Sequence, residues 1–205
     1  MGLALLKTTE TTAQQKTIIV GLGKTGLSCA RFLVRQGLEV MVVDSRPTPP
    51  GMQELQRELP EVKTLFGFFD RELFKQAGML VVSPGISLHE PAIAAAMAAG
   101  VEVVGDIELF ARHAKAPMVA ITGSNGKSTV TTMVGEMAKA AAREVRVGGN
   151  IGTPALDLLQ QSEPDLYVLE LSSFQLETTT SLKPAAAVVL NVSQDHLDRW
   201  QDQHF

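Results

Sequence analysis

Residues 17–26 read TIIVGLGKTG, an apolar run followed directly by a glycine-rich loop. The run Thr17–Val20 predicts a buried strand, and its loop fits the pattern G-x-G-x-x-G. The next segment, Leu27–Gln36, has helical spacing and stops at Gly37, which predicts a helix. Glycines in such a loop let the backbone turn tightly and approach a diphosphate at the helix N-terminus. The loop therefore predicts either a nucleotide site, for a dinucleotide such as NAD or a UDP compound, or a tight turn between strand and helix that binds no ligand.

An acid closes the second predicted strand. Asp44 follows the apolar segment Val40–Val43 and lies 18 residues after Gly26. A carboxylate at this place in a nucleotide-binding unit can accept a hydrogen bond from a ribose hydroxyl. Asp44 is therefore a candidate ligand-binding residue.

A second strand, glycine loop and helix follow at residues 118–142. The loop TGSNGKST, residues 122–129, lies between the apolar strand Met118–Thr122 and the predicted helix Lys127–Ala142. The backbone N–H groups of such a loop hold phosphates, Lys127 reaches the β- and γ-phosphates, and the Ser128 hydroxyl can bind Mg²⁺. Its first glycine stands at 123, where the standard P-loop pattern would place it at 121. The loop therefore predicts a P-loop of a different subclass.

Strands and helices alternate along most of the chain, a pattern typical of parallel sheets covered on both faces. The remaining predicted strands are Met79–Val82, Val101–Val104, Val145–Val147, Leu166–Leu171 and Ala186–Asn191. The remaining predicted helices are Met52–Leu59, Arg71–Gln76, Pro91–Ala99 and one that Asp106 caps and that runs to His113. The small residues at 114–117 break the pattern. We therefore predict an α/β chain of two domains, residues 1–114 and 115–205.

Composition excludes several classes of protein. The 18 Lys and Arg against 22 Asp and Glu give a net charge of −4, and only 5% of residues are aromatic, which disfavours nucleic-acid binding. The single cysteine, Cys29, allows no internal disulfide. It is expected on the buried side of the first helix, as a small residue of the hydrophobic core. No apolar run approaches the roughly 20 residues that cross a bilayer, and residues 1–16 do not resemble a signal peptide. We therefore expect a cytoplasmic protein that does not bind membranes.

Three further side chains follow predicted strands. Glu170 closes an apolar strand, where a metal-binding carboxylate is needed beside a P-loop. His196 follows the last predicted strand and is expected at the carboxyl edge of the sheet, where ligands bind. Asn150 lies in the glycine-rich stretch GGNIG, residues 148–152, which either turns the chain or lets a bulky substrate approach.

Taken in order, the motifs resemble those of the Mur ligases of bacterial peptidoglycan synthesis. The matching stretches are GLGKTG (21–26), SPGI (83–86), GDIELF (105–110), ITGSNGKST (121–129), GGNIG (148–152), LELSSFQLE (169–177) and NVSQDH (191–196). The resemblance implies a Rossmann-like UDP-binding domain followed by part of a P-loop ATPase domain. Within the family, the sequence is similar to the ligases that add D-glutamate to UDP-N-acetylmuramoyl-L-alanine.

The resemblance also implies roles for individual residues, with ATP and Mg²⁺ as cofactors. The UDP substrate is expected at Lys24, Thr25, Asp44, Ser45, Arg46, Ser83, Gly85, Asn150, Ser172, Gln175 and His196. ATP is expected at Gly123, Ser124, Asn125, Gly126, Lys127, Ser128 and Thr129. The implied metal ligands are Ser128, Glu170 and His196, and the implied catalytic residues are Lys127, Asn150 and His196. In such ligases, the substrate carboxylate attacks the γ-phosphate, and an amine then displaces phosphate from the acyl phosphate.

Two other functions remain open at this point. An NAD-dependent oxidoreductase would use the first glycine loop, but it leaves Lys127, Ser128 and Glu170 without a purpose. A non-catalytic UDP-sugar-binding module would bind the substrate without turnover. The resemblance implies a further domain for D-glutamate beyond residue 205, so we expect these 205 residues to bind the UDP substrate but not to complete ligation alone.

Overall fold

The computed structural model describes residues 16–160 and 162–193, which form two parallel sheets with helices. In the first half the elements are β1 (Thr17–Val20), α1 (Lys24–Arg35), β2 (Val40–Asp44), α2 (Met52–Glu58), β3 (Lys63–Phe66), α3 (Arg71–Lys75), β4 (Met79–Val82), α4 (Pro91–Ala98), β5 (Glu102–Val104) and α5 (Asp106–His113). In the second half they are β6 (Met118–Thr122), α6 (Lys127–Ala140), β7 (Val145–Gly149), a 3-10 helix (Ala155–Gln160), β8 (Leu166–Glu170), α7 (Ser173–Leu176) and β9 (Ala186–Val189).

Both sheets place a glycine loop at the carboxyl end of an interior strand. The first sheet has the order β3-β2-β1-β4-β5 and the second the order β7-β8-β6-β9, with parallel pairing throughout. In the first sheet the order changes direction between β1 and β4. Ligands of open parallel sheets bind outside the carboxyl ends of the strands at such a point. The predicted α/β fold class is confirmed, and the predicted boundary at residue 115, which stays a prediction, falls between α5 and β6.

Several element predictions need correction. Helix α1 begins at Lys24 rather than Leu27, because Gly23 adopts an extended conformation and is its N-cap. Asp106 does not cap α5: Gly105 is the N-cap, and Asp106 is the first helical residue. Strand β3 was not predicted, because its sequence KTLF begins with exposed polar residues instead of an apolar run. Gly148 and Gly149 belong to β7, not to a loop. In the described part of the chain, no helix has both the length and the apolarity needed to cross a bilayer.

One hydrophobic core joins the two halves. A single cluster of buried side chains runs from β1 and α1 through α5 to the 3-10 helix and β8. Phe110 of α5 packs edge-on against Tyr167 of β8, with ring centroids 5.0 Å apart. Glu108 of α5 accepts hydrogen bonds from the backbone N–H groups of Thr180 and Ser181. An interface that is buried and apolar holds its two sides in a fixed relation. The two glycine loops therefore belong to halves that share one hydrophobic cluster.

Candidate nucleotide and metal sites

A cavity of about 560 Å³ opens at the carboxyl ends of β1, β2 and β4. We call it the cleft. Seven predicted substrate residues line it, namely Lys24, Thr25, Asp44, Ser45, Arg46, Ser83 and Gly85. Asn150 and Gln175, from the second half of the chain, line it as well. The structure therefore brings together nine of the eleven predicted substrate residues at one cavity that both halves build.

Two glycines of the first loop, Gly21 and Gly26, are packed too tightly to accept side chains. A Cβ at Gly26 would lie 1.9 Å from the Gly21 carbonyl oxygen, and Gly21 itself has a φ of +96°. Ser83 donates a hydrogen bond of 3.1 Å to that same carbonyl. The loop therefore leads directly into α1, whose first residues, Lys24 and Thr25, face the cleft. Backbone N–H groups at the start of a helix have no partner within it and favour an anion there.

Asp44 uses its carboxylate to hold the loop and Arg46. Its Oδ2 accepts from the Leu22 N–H at 2.7 Å and from Arg46 Nη2 at 2.7 Å. Its Oδ1 accepts from the Arg46 N–H and Nε, both at 2.9 Å. Burial raises the pKa of Asp44, but the hydrogen bonds from Arg46 and Leu22 outweigh it, so the net pKa is lowered. The Asp44 side chain is 2% exposed and that of Arg46 53%, so the pair presents a cation to the cleft.

The second glycine loop carries its own cation. Lys127 Nζ donates to the carbonyl oxygens of Gly123 and Ser124, at 2.6 and 3.1 Å. Gly126, the N-cap of α6, has a φ of +83°, a left-handed conformation that glycine adopts without strain. These are the positions that the sequence predicts for a phosphate-binding loop. The lysine lies folded over the loop at the N-terminus of α6.

Asn191 and Ser193, which follow β9, attach this loop to the sheet. Asn191 Oδ1 accepts from the Asn125 N–H at 2.8 Å, and Asn191 Nδ2 donates to the Asn125 carbonyl at 2.9 Å. The Ser193 N–H donates to Ser124 Oγ at 2.9 Å. Sequence reasoning assigned no role to Asn191 or Ser193. Their position directly after an apolar strand, like that of Glu170, was the signal that could have indicated one.

Glu170 connects the second glycine loop to Asn150. Its Oε2 accepts from Ser128 Oγ at 2.7 Å, and its Oε1 accepts from Asn150 Nδ2 at 2.8 Å. The Asn150 N–H also donates to the Glu170 carbonyl at 2.8 Å. Glu170 is buried, whereas Asn150 lines the cleft. A continuous chain of hydrogen bonds therefore runs from the cleft to the start of α6.

Ser128 and Glu170 are suited to Mg²⁺. Both supply oxygen atoms, one carries a negative charge, and both lie at the N-terminus of α6, where phosphates are expected. Mg²⁺ keeps several waters and needs only one or two protein ligands. Within residues 16–160 and 162–193, no three His, Cys, Asp or Glu side chains form a metal-binding group. His196, the third predicted ligand, lies outside the described residues.

Ser172 and Gln175 form the start of α7. The Gln175 N–H donates to Ser172 Oγ and the Ser172 N–H donates to Gln175 Oε1, which completes a capping box. Gln175 Nε2 donates to Asp106 Oδ2 at 2.9 Å. Ser172 is not among the residues that line the cleft, so its predicted contact with the substrate stays a prediction.

Comparisons with known proteins agree with this arrangement. The Mur ligase MurD-like N-terminal domain family matches residues 15–105, and the Mur ligase middle domain family matches residues 121–204. A Marinobacter nauticus protein named UDP-N-acetylmuramoylalanine--D-glutamate ligase is 63% identical over 191 residues, which are 93% of this chain and 43% of that protein. A Nitrosococcus oceani protein of the same name is 59% identical over 186 residues, which are 91% of this chain and 41% of that protein. The chain thus spans about two fifths of the length of these relatives.

Two solved structures share the fold. The UDP-N-acetylmuramate:L-alanyl-gamma-D-glutamyl-meso-diaminopimelate ligase from Neisseria meningitides superposes with a TM-score of 0.56 at 18% identity, over 93% of this chain and 64% of that one. The UDP-N-acetylmuramate-alanine ligase MurC from Thermotoga maritima superposes with a TM-score of 0.54 at 21% identity, over 92% of this chain and 44% of that one. The two family matches and the high identity to the curated relatives agree, and the chain belongs to the Mur ligase family.

Proposed function

We propose that this chain is the part of an ATP-dependent ligase that binds UDP-N-acetylmuramoyl-L-alanine and ATP. The reaction would join D-glutamate to the L-alanine carboxyl group in the synthesis of a peptidoglycan precursor. The observation that carries the proposal is the chain of contacts from the cleft through Asn150 and Glu170 to Ser128. It joins a cleft with a basic entrance to a phosphate-binding loop, as a reaction between two anionic substrates requires.

The cleft has the chemistry of a nucleoside diphosphate site. The start of α1 offers backbone N–H groups, and Lys24 and Arg46 add positive charge. The Asp44 carboxylate accepts hydrogen bonds from Leu22 and Arg46 with both of its oxygens, so we propose that it acts by orienting Arg46. This use of the acid differs from binding a nicotinamide dinucleotide through its ribose, and it favours the UDP substrate over NAD.

The second loop would bind ATP, with Ser128 and Glu170 holding Mg²⁺. When bound, Mg²⁺–ATP supplies the phosphoryl group that activates the substrate carboxylate. Lys127 would leave the carbonyl oxygens of Gly123 and Ser124 to neutralise negative charge on the phosphates. Asn150 would hold Glu170 on one side and face the substrate on the other. His196 is proposed as a further metal and substrate ligand, on the resemblance alone.

The proposed partners are small molecules, and the proposed compartment is the cytoplasm. The single thiol, Cys29, is buried in the core as predicted, and burial raises its pKa well above the usual value. Such a thiol is unreactive, and a chain with one cysteine has no internal disulfide that would need an oxidising environment.

The first test measures ligand binding to the 205-residue chain. Thermal unfolding is followed in the presence of UDP-N-acetylmuramoyl-L-alanine, UDP or NAD, because a ligand that binds the native state raises Tm. We expect both UDP compounds to raise Tm in a concentration-dependent way and NAD to leave it unchanged. A shift with NAD alone would contradict the proposal and favour an oxidoreductase.

The second test measures ligation in a protein of the relatives' length. The 191 aligned residues of the Marinobacter nauticus relative are replaced by those of this chain, and phosphate release is assayed with ATP, D-glutamate and the UDP substrate. We expect release that requires all three compounds and that Lys127→Ala abolishes. If the unaltered relative is active and the chimera releases no more phosphate than its Lys127→Ala control, the proposed activity is wrong.

A further inference from the structure

A buried carboxylate lies behind the cleft at the start of α5. Asp106 is 2% exposed, and its Oδ2 accepts the hydrogen bond from Gln175 Nε2. Its Oδ1 has no hydrogen-bond partner among the described residues. Gln175 is also 2% exposed but is among the residues that line the cleft, so this carboxylate is one side chain away from the cleft. Burying a carboxylate costs free energy, which the hydrogen bond from Gln175 and the position of Asp106 in the first turn of α5 offset.

The helix ends around this pair are closely packed. A Cβ at Gly105 would lie 2.2 Å from Thr178 Oγ1, so the start of α5 has no spare room against the segment after α7. The hydroxyls of Thr178 and Thr179 both donate to the Gln175 carbonyl, at 3.3 and 2.6 Å. The Gln175 backbone is therefore held in place, and only its side-chain amide could turn.

The two partners of that amide allow one orientation. The Ser172 N–H donates to Oε1, and Asp106 accepts from Nε2. Burial raises the pKa of Asp106 to about 6, so the group is ionised at neutral pH and can only accept. Turning the amide over would place its oxygen against a carboxylate and its NH₂ against an N–H. Nε2 carries two hydrogens, and Asp106 receives one of them.

We propose that Asp106 is a positioning residue that holds the Gln175 amide so that the second Nε2 hydrogen binds an acceptor oxygen of the ligand beyond its diphosphate. This inference rests on the proposed function, because the acceptor is a carbonyl or carboxylate oxygen of the acylated sugar and its L-alanine. UDP alone lacks the acylated sugar and the L-alanine that carry this oxygen. Asp106 therefore contributes to selection of the complete substrate over the free nucleotide.

The test compares the affinities of the chain for UDP-N-acetylmuramoyl-L-alanine and for UDP, by calorimetric titration at pH 7.5 (about 1.5 pH units above the pKa of Asp106). Asp106→Leu removes the acceptor and keeps the branched shape with more bulk, and Asp106→Ala removes it without added bulk, so the test does not depend on one variant folding. We expect either variant to bind the complete substrate about tenfold more weakly and to bind UDP within about twofold of the original chain. Asp106→Asn keeps an acceptor oxygen and should restore most of the selectivity.

Two controls separate positioning from general damage. Glu108→Gln alters another buried acid of α5, one that holds the 180–181 backbone, and should leave the ratio of the two affinities unchanged. Gln175→Met removes the donor itself, and adding Asp106→Ala to it should cause no further loss, because Asp106 acts only through Gln175.

The outcomes distinguish the inference from the function on which it rests. An unchanged ratio in Asp106→Ala and Asp106→Leu, or an equal loss for both ligands, would overturn the positioning role and leave the proposed function standing. Failure of the original chain to bind either UDP compound would overturn the proposed function and this inference with it.

Discussion

The two glycine loops look alike in sequence but obtain their positive charge differently. In the second loop the charge lies within the motif, because Lys127 directly follows Gly126 and folds over Gly123. In the first loop Lys24 also lies within the motif, but a second cation, Arg46, comes from beyond β2 and is held by the buried Asp44. The cations of the first site thus come from two parts of the chain, whereas Lys127 of the second site belongs to its own loop.

The backbones differ as well. The carbonyl oxygen of Gly21 occupies the space that a Cβ at position 26 would need, so packing requires a glycine there. Gly126 has open space, since the atom nearest to an added methyl group would be Leu190 Cδ1 at 3.8 Å, and it is required only by its left-handed φ. One glycine therefore supports the fold of its unit, and the other supports only the shape of its loop.

The largest effect is expected when an alanine replaces one glycine of each loop and the loss of stability is compared. Gly26→Ala should lower the free energy of unfolding by about 3 kcal/mol, because the new methyl group cannot fit without moving the loop or α1. Gly126→Ala should cost about 1 kcal/mol, the strain of a left-handed alanine. Urea unfolding of both variants measures the two costs. Equal costs would show that packing does not distinguish the loops.

The next effect separates the two charges. Lys127→Ala should weaken Mg²⁺–ATP binding by about 100-fold, because it removes the cation of the loop, and should leave UDP binding unchanged. Arg46→Ala should weaken UDP binding by about tenfold, since Arg46 is half exposed, and should leave ATP binding unchanged. Titration of both variants with both ligands makes each the control for the other. If either variant weakened the binding of both ligands equally, the two loops would not act separately.

Without the family resemblance, the residues alone indicate more of the second candidate site than of the first, for a physical reason. Lys127 and Ser128 belong to one short motif, and Glu170 ends a strand whose apolar pattern is plain. Arg46 could be named only through the family resemblance, because nothing local indicates that Asp44 binds it with both oxygens. The cleft itself needs Asn150 and Gln175 from the other half of the chain, and residue spacing does not reveal such a long-range contact.

Asp106 illustrates the same limit at a helix end. An acid followed by an amphipathic segment predicts an N-cap, but Gly105 takes that position because it packs against Thr178. The acid then lies one residue inside the helix and meets Gln175 across the core. Local helix signals described the start of α5 to within one residue. They could not describe which side chain would be buried there.

The smallest effect concerns the attachment of the second loop to β9. Asn191→Ala removes both hydrogen bonds to the Asn125 backbone, so the loop should lose part of its preformed shape. Because these groups are exposed and water can replace the bonds, we expect Mg²⁺–ATP binding to weaken only about fivefold, with UDP binding unchanged. Asn191→Asp keeps the oxygen that accepts from the Asn125 N–H. Its affinity for Mg²⁺–ATP should lie between those of the original chain and of Asn191→Ala. An Asn191→Ala variant that binds ATP as tightly as the original chain would show that Lys127 and the glycines shape this loop unaided. The second site would then be wholly local, and the contrast with the first loop would be sharper than the structure alone suggests.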